Sequence, residues 1–344
     1  MVPVAAQFLS LMLLSAQTGT AVPDAVAEAA RGAALAREGK YDLAIEHYNA
    51  ALRLDARLPG LQLNLGLAYF KSNHLPEAAA ALEEAVRADS TSFQARALLG
   101  MSYYGSGRYR DAAAQLKLAS EAQPDNVELR YNLAQSYLWS EQNPEALREF
   151  QFLLSKNPDS APVHILLGEA LDASSRTEDA TAEFEAAVKA STVPPEAHFG
   201  LGYLYWKQRR YEEACREFEA ELETQPKHAQ ALAYLGDSEM RADRNKPAET
   251  HLRGALALDA NLRLAHLDLG IVLAARNESD EAVRHFREAI RMDPSKPDAH
   301  YRLGRLWSSL GRQQEAQAEF EKVKQLATEE PPPPLFRLSG RRLP

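Results

Sequence analysis

At 344 residues, 45% hydrophobic and 25% charged, the chain is long for one globular core and too apolar for wholesale disorder. Its formal charge of −9 excludes the basic face that a phosphate-backbone binder needs. A single cysteine, Cys215, excludes an intrachain disulfide and a cysteine-based zinc cage.

The first element is an uncharged stretch, MVPVAAQFLSLMLLSAQTGTAVP, that ends at Asp24. Its apolar run from Val4 to Ala16 is too short to span a bilayer. Followed by small residues such as Ser15-Ala16-Gln17, it has the form of a secretory signal peptide over 1–21, with 22–24 as a linker. Export to the periplasm or beyond the cell is therefore expected, with no stable membrane insertion once the signal is removed. The alternative, a cytoplasmic protein with a plain N-terminal tail, stays open. No cysteine follows the apolar run, which excludes a bacterial lipoprotein anchor.

From residue 25 the chain repeats. Gly32, Gly66, Gly100, Ala134, Gly168, Gly202, Gly236, Gly270 and Gly304 are each separated by 34 residues without an insertion. An alanine follows each by 12 residues (Ala44, Ala78, Ala112 and onward), and four further on sits a large apolar residue such as Tyr48, Leu82 or Phe150. Within a period, Leu61, Leu65 and Ala68 share one helical face, and Ala78, Leu82 and Ala85 share another. Each period is thus predicted to be two helices. The turn between them falls at Gly39, Asn73, Gly107, Asn277 and Gly311, residues that tolerate the left-handed conformation of a helix C-cap. Proline opens some second helices, as in Asn143-Pro144-Glu145, and closes others ahead of Pro124, Pro158, Pro226 and Pro294.

A small residue at the eighth position, alanine at the twentieth and a large apolar residue at the twenty-fourth, in a 34-residue frame, resemble the tetratricopeptide repeat. The resemblance covers 25–330, with repeats starting at 25, 59, 93, 127, 161, 195, 229, 263 and 297. It implies an all-α fold, a right-handed α-solenoid of nine helix-turn-helix units whose first helices line a concave groove. It further implies a non-catalytic scaffold for a protein or peptide partner. A regulatory or substrate-recruiting subunit of an enzyme or envelope assembly complex is the alternative. A catalytic chain or an RNA-binding array fits less well, given the 34-residue period, the acidic balance and a final segment, 331–344, that is short and proline-rich.

Chemistry-bearing residues are sparse. His164, His198, His266 and His300 stand at the fourth position of separate repeats, a whole helix pair apart, too far to share an ion at ~2 Å ligand distances. They are expected to be structural, Cys215 a buried small hydrophobe, and Glu169 and Asp172 solvated charges. No phosphate loop, nucleophile elbow or paired-carboxylate motif is present, so neither cofactor, metal nor catalytic residue is expected. The family's carboxylate clamp needs polar residues on successive repeats; Asn64 and Asn132 stand singly.

The groove implied by the resemblance is lined by the fifth, ninth and twelfth positions. There the sequence places Phe70, Tyr104, Tyr131, Phe199, Tyr203, Trp206 and Arg305, flanked by Trp139 and Lys207 at the thirteenth. Phe199, Tyr203 and Trp206 are spaced i, i+4, i+7 and form one predicted aromatic stripe on an open face, with Lys207 poised for a partner's carboxylate. Tyr205 and Tyr211 recur at positions eleven and seventeen and are predicted to be packing residues.

Overall fold

The computed structural model describes residues 22–326, where it shows eighteen α-helices and no strand. The predicted signal segment 1–21 and tail 331–344 lie outside the described residues. The first helices of the repeats are α1 Pro23–Arg37, α3 Leu61–Lys71, α5 Phe93–Gly105, α7 Val127–Trp139, α9 Ala161–Ala173, α11 Ala197–Lys207, α13 Ala229–Arg241, α15 Arg263–Ala275 and α17 Pro297–Ser309. The second helices are α2 Tyr41–Leu54, α4 Leu75–Ala88, α6 Tyr109–Ala122, α8 Asn143–Lys156, α10 Thr177–Val188, α12 Tyr211–Thr224, α14 Asn245–Leu258, α16 Ser279–Met292 and α18 Gln313–Leu326. The fold is an α-solenoid of nine helix pairs, packed into two compact units, one ending at Pro158 and one beginning at Asp159.

The turns explain why each pair closes alike. Position fifteen has positive φ in all nine repeats, at glycine or asparagine where expected and also at Glu141, Ser175, Arg209 and Asp243. In every repeat the next amide donates back to the carbonyl at position eleven, as in His74 N to Tyr69 O at 2.8 Å and Arg210 N to Tyr205 O at 2.9 Å. That bond satisfies an otherwise orphaned helix carbonyl and offsets the ~1 kcal/mol or more that a side chain pays for left-handed backbone.

Helices within a pair meet at the glycine. A Cβ on Gly202 would stand 2.8 Å from the ring of Phe218, and one on Gly66 2.5 Å from Leu82. The partner residue at position twenty-four is fully buried in most repeats: Tyr48, Phe150, Phe184 and Phe218 are 0% exposed. Glycine is therefore set by the large side chain lying flat across it, with the alanine at position twenty close beside it.

A polar clamp joins the same two helices near their other ends. His164 Nδ1 lies 2.6 Å from Glu183, His198 Nδ1 2.8 Å from Glu217, and His300 Nδ1 2.6 Å from Glu319, always position four to position twenty-three. Arg130 with Glu149 and His47 with Glu28 use the same pairing. The fourth-position histidines are structural, as expected. Cys215 is buried, and burial pushes its thiol up to about 11.

Two of the tyrosines at position eleven tie their repeat to the preceding one. Tyr103 donates its hydroxyl to Glu83 at 2.6 Å and Tyr205 to Glu185 at 2.8 Å, both carboxylates belonging to the preceding repeat. Tyr205 is buried, with the Arg210 guanidinium 4.3 Å from its ring centre, and Tyr211 is half-buried beneath Arg241.

Candidate functional site

In the unit beginning at Asp159, α11 and α13 carry the densest aromatic cluster. α11 starts late, after Pro194-Pro195, with Glu196 in left-handed backbone at its N-cap. From there Tyr203 and Trp206 fall on the same face, stacked with ring centres 5.8 Å apart. Tyr234 of α13 stands edge-on to both, at 5.6 Å from Tyr203 and 5.1 Å from Trp206. Its phenol is half-buried, and desolvation holds it far above its ordinary range. Tyr203 and Trp206 themselves are half-buried. They are rigid rings with a packed underside and an open outer edge.

Phe199 corrects the sequence-based stripe. It is 2% exposed, covered by Phe218, His228 and Tyr234 at 5.8, 4.7 and 6.0 Å, so it is core rather than open surface. Phe218 and His228 belong to the same repeat, and the remaining cover comes from the following one, where Tyr234 occupies position six. Spacing along α11 alone could not reveal it. Other repeats carry alanine, asparagine, leucine, glycine, aspartate or arginine at that position, and the lone tyrosine was the available signal.

Lys207 is also reassigned. Its Nζ lies 2.6 Å from Asp172 Oδ1, an oxygen that also accepts the hydroxyl of Thr177 at 2.9 Å. Asp172 is therefore an ion-pair partner and not a solvated charge, and Lys207 is already engaged.

Beneath the aromatic pair lies an acid network that spacing does not flag. The Trp206 indole N–H donates to Asp237, a residue 0% exposed, and Arg241 Nε donates to the same carboxylate at 2.7 and 2.9 Å. Asp268 of α15, 1% exposed, adjoins Asp237; burial first, and then the Asp237 charge, hold its carboxyl protonated well above the usual range. Position nine is groove lining in the family pattern, yet Asp237 at that position is buried, as is Ala233 at position five, where α13 packs on α15.

The unit ending at Pro158 holds four more predicted groove residues, Phe70, Tyr104, Tyr131 and Trp139. Trp139 donates its indole N–H to the Tyr104 hydroxyl at 3.2 Å, and Tyr109 lies against both rings at 6.2 and 5.4 Å. A cleft of about 390 Å³ opens beside Trp139, lined also by Tyr109, Arg110, Asp111 and Glu141. Phe70 and Tyr131 are half-buried in the same unit. Asn64 and Asn132 are buried, and Asn132 spends its amide on the Glu128 carbonyl at 2.8 Å. In the second unit Arg305 is exposed on α17, three helix pairs along the chain from Trp206.

Among the described residues no group of three or more histidine, cysteine or acidic side chains is placed to hold a metal, and no helix is long and apolar enough to cross a membrane.

Helix pairs in a 34-residue frame, closed by the glycine contact and the left-handed turn, define a helical-repeat protein. The chain belongs to the tetratricopeptide repeat family: models of the repeat match 32–73, 103–169, 63–126, 165–222, 199–262 and 267–331. Among solved structures it is similar to PilW, a widely conserved type IV pilus biogenesis factor, at 22% identity over 60% of this chain and 96% of that one, with a TM-score of 0.51. It is similar to the Cut9–Hcn1 hetero-tetramer of the APC/C at 13% identity over 92% of this chain and 76% of that chain, TM-score 0.54. The C-terminal part of a TPR protein from Cytophaga hutchinsonii matches at 15% identity over 69% of this chain and 98% of that one, TM-score 0.57. At these identities the likeness is one of fold. No match was found among curated proteins. Family and fold together make the chain a protein-interaction scaffold, of a kind that is typically non-catalytic.

Proposed function

We propose that the chain is a non-catalytic scaffold that holds a peptide segment of a partner protein against α11 and α13, with Tyr203 and Trp206 as anchors. The observation that carries this is the stacked, half-buried ring pair fixed from beneath by Tyr234 and Asp237. Rigid aromatic edges on a packed base give large contact area at little entropic cost, the physical basis of an interface hot spot. Trp139, Tyr104 and Tyr131 offer a second, separate aromatic surface in the first unit. The apolar segment at 1–21 supports export, so the working compartment proposed is the periplasm or the exterior.

The test begins with affinity capture on the chain lacking 1–21, followed by identification of the bound segment. That segment is then titrated against the unaltered protein, Tyr203→Ala, and Leu118→Ala, which alters an exposed leucine on α6. Loss confined to Tyr203→Ala supports the site; equal affinity across all three rejects it. Export is checked separately by N-terminal sequencing of the protein from its host. A start near residue 17 or 22 is expected, and an intact Met1 would refute it.

A further inference from the structure

Trp206 is held by ring contacts with Tyr203 and Tyr234 and by one polar contact. Its indole N–H points inward to Asp237, and the ring edge left outside is the surface offered to a partner. Asp237 is wholly buried and accepts from Trp206 and from Arg241. Asp268 lies on α15, which packs on α13, and interacts with Asp237; its Oδ2 is buried with no hydrogen-bond partner. An ionised carboxylate there would be a second buried charge with only Arg241 to answer both. With a proton on it, Asp268 becomes a donor, and Asp237 is the carboxylate it meets.

We propose that Asp268 and Asp237 are positioning residues for Trp206: one proton held between the two carboxyl groups keeps Asp237 aimed at the indole and thereby fixes the exposed edge of the ring. The inference rests on the reading of Trp206 as an anchor only for its importance to binding; the relay itself is a property of the folded chain. Besides Arg241, α13 presents Tyr234 to the pair. α11 presents Tyr203 and Trp206, α12 places Tyr211 under the Arg241 guanidinium, and α17 contributes the charge of Asp298. Asp298 is already paired with Arg263 of α15, and Arg241 is the cation bonded to the acid pair itself, so loss of the shared proton leaves two adjacent carboxylates and one direct countercharge. Repulsion would then turn Asp237 away from the indole. Ring position is coupled to the proton.

The sign follows from linkage. Asp268 binds its proton more tightly folded than unfolded, so its contribution to stability is full below the ordinary aspartate value of 3.8 and is lost as pH rises through the elevated folded value. An amide in place of this acid would donate to Asp237 at any pH. Asp268→Asn should therefore be as stable as the unaltered protein at neutral pH or more so.

The experiment uses the full chain with Trp139→Phe and Trp307→Phe, leaving Trp206 as the only indole, and reads its emission maximum and acrylamide quenching. Asp268→Ala is expected to shift emission to the red and raise quenching at neutral pH, while Asp268→Asn restores the unaltered values. Asp268→Ala that leaves Trp206 unmoved, or Asp268→Asn that fails to restore it, overturns the proposal. If Asp268→Ala does not fold, the alkaline titration of the Trp206-only protein decides. Rising quenching at constant helicity supports the relay, and a flat profile up to the unfolding edge overturns it. A partner that binds equally well after Tyr203 and Trp206 are replaced would remove the anchor role and leave these fluorescence results untouched.

Discussion

Two glycines with different duties show how residue-scale cost is set. Gly202 faces the Phe218 ring at 2.8 Å, inside the pair, whereas Gly39 has φ of +76° and nothing within 4 Å of a built Cβ. Gly202→Val should cost about 2 kcal/mol or more, because a fully buried ring must shift. Gly39→Ala should cost about 1 kcal/mol, the strain that Glu141, Ser175, Arg209 and Asp243 already carry at the same position. Thermal melts of the two variants check the order. Histidines give a pH-resolved pair. His251 pairs with the buried Glu239 at 2.7 Å, chiefly through that hydrogen bond, and its ionisation is raised above 6.5. Its stabilisation is full below about pH 6.5 and fades as pH climbs through the raised value, so His251→Gln should cost more near pH 6 than near pH 9. His285, facing His266 at 2.8 Å, is lowered by burial and then by His266. It loses stability as pH falls below about 6.5, so the cost of His285→Gln should shrink on acidification. Denaturant midpoints at the two pH values read both signs. Periodicity made Tyr205 legible as packing, since its role repeats at position eleven. Phe199 was not legible, because Tyr234 belongs to the next repeat and occurs at its position once.

At the scale of elements, helix ends and outer faces carry most of the information. The spacing predicts a capping helix over 312–327 whose positions twenty-one and twenty-eight, Ile45 and Leu52 or Val283 and Ile290 elsewhere, become Gln317 and Lys324. α18 runs Gln313–Leu326, with Gln317 and Lys324 exposed and Ala316 its buried residue; Phe320 and Val323 are half-buried on the inward side. A terminal repeat with a polar outer face does not invite another repeat to stack. Gln317→Leu combined with Lys324→Leu recreates the stacking surface of an internal repeat. The double variant should self-associate in size-exclusion light scattering while keeping its helicity; a monodisperse profile like that of the unaltered chain would show that these two side chains do not guard the end. Turn positions were only partly legible. Glycine and asparagine announced five of them, whereas Glu141, Ser175, Arg209 and Asp243 adopt left-handed backbone in the same C-cap, closed by the hydrogen bond to position eleven, with no residue type to signal it.

For the whole molecule, nine periods without an insertion are the reason the fold could be read directly: neighbour packing repeats, so each position needs to be understood once. Division of the array at Pro158 and Asp159 was not legible, since the 34-residue frame runs through it unbroken. Nor was the acid network, because Asp237 and Asp268 stand 31 residues apart and single carboxylates in a sequence read as surface charge. A stack whose repeats touch mainly their neighbours should unfold in steps. Hydrogen exchange on the full chain is expected to show graded protection within each unit, and a single uniform opening free energy across 22–326 would contradict it. The partner site proposed on α11 and α13 is tested most directly at Tyr203. Trp206→Ala strips a donor from buried Asp237 and would confound binding with stability, so Tyr203→Ala is the cleaner probe, paired with Tyr205→Ala as the packing control. The deciding measurement is the affinity of the identified partner segment for these two proteins. Tyr203→Ala is expected to weaken binding by about 2 kcal/mol, roughly 30-fold, with a smaller loss of thermal stability than Tyr205→Ala shows. Unchanged affinity for Tyr203→Ala, with both variants equally destabilised, would mean that the aromatic pair is packing and that the partner binds elsewhere.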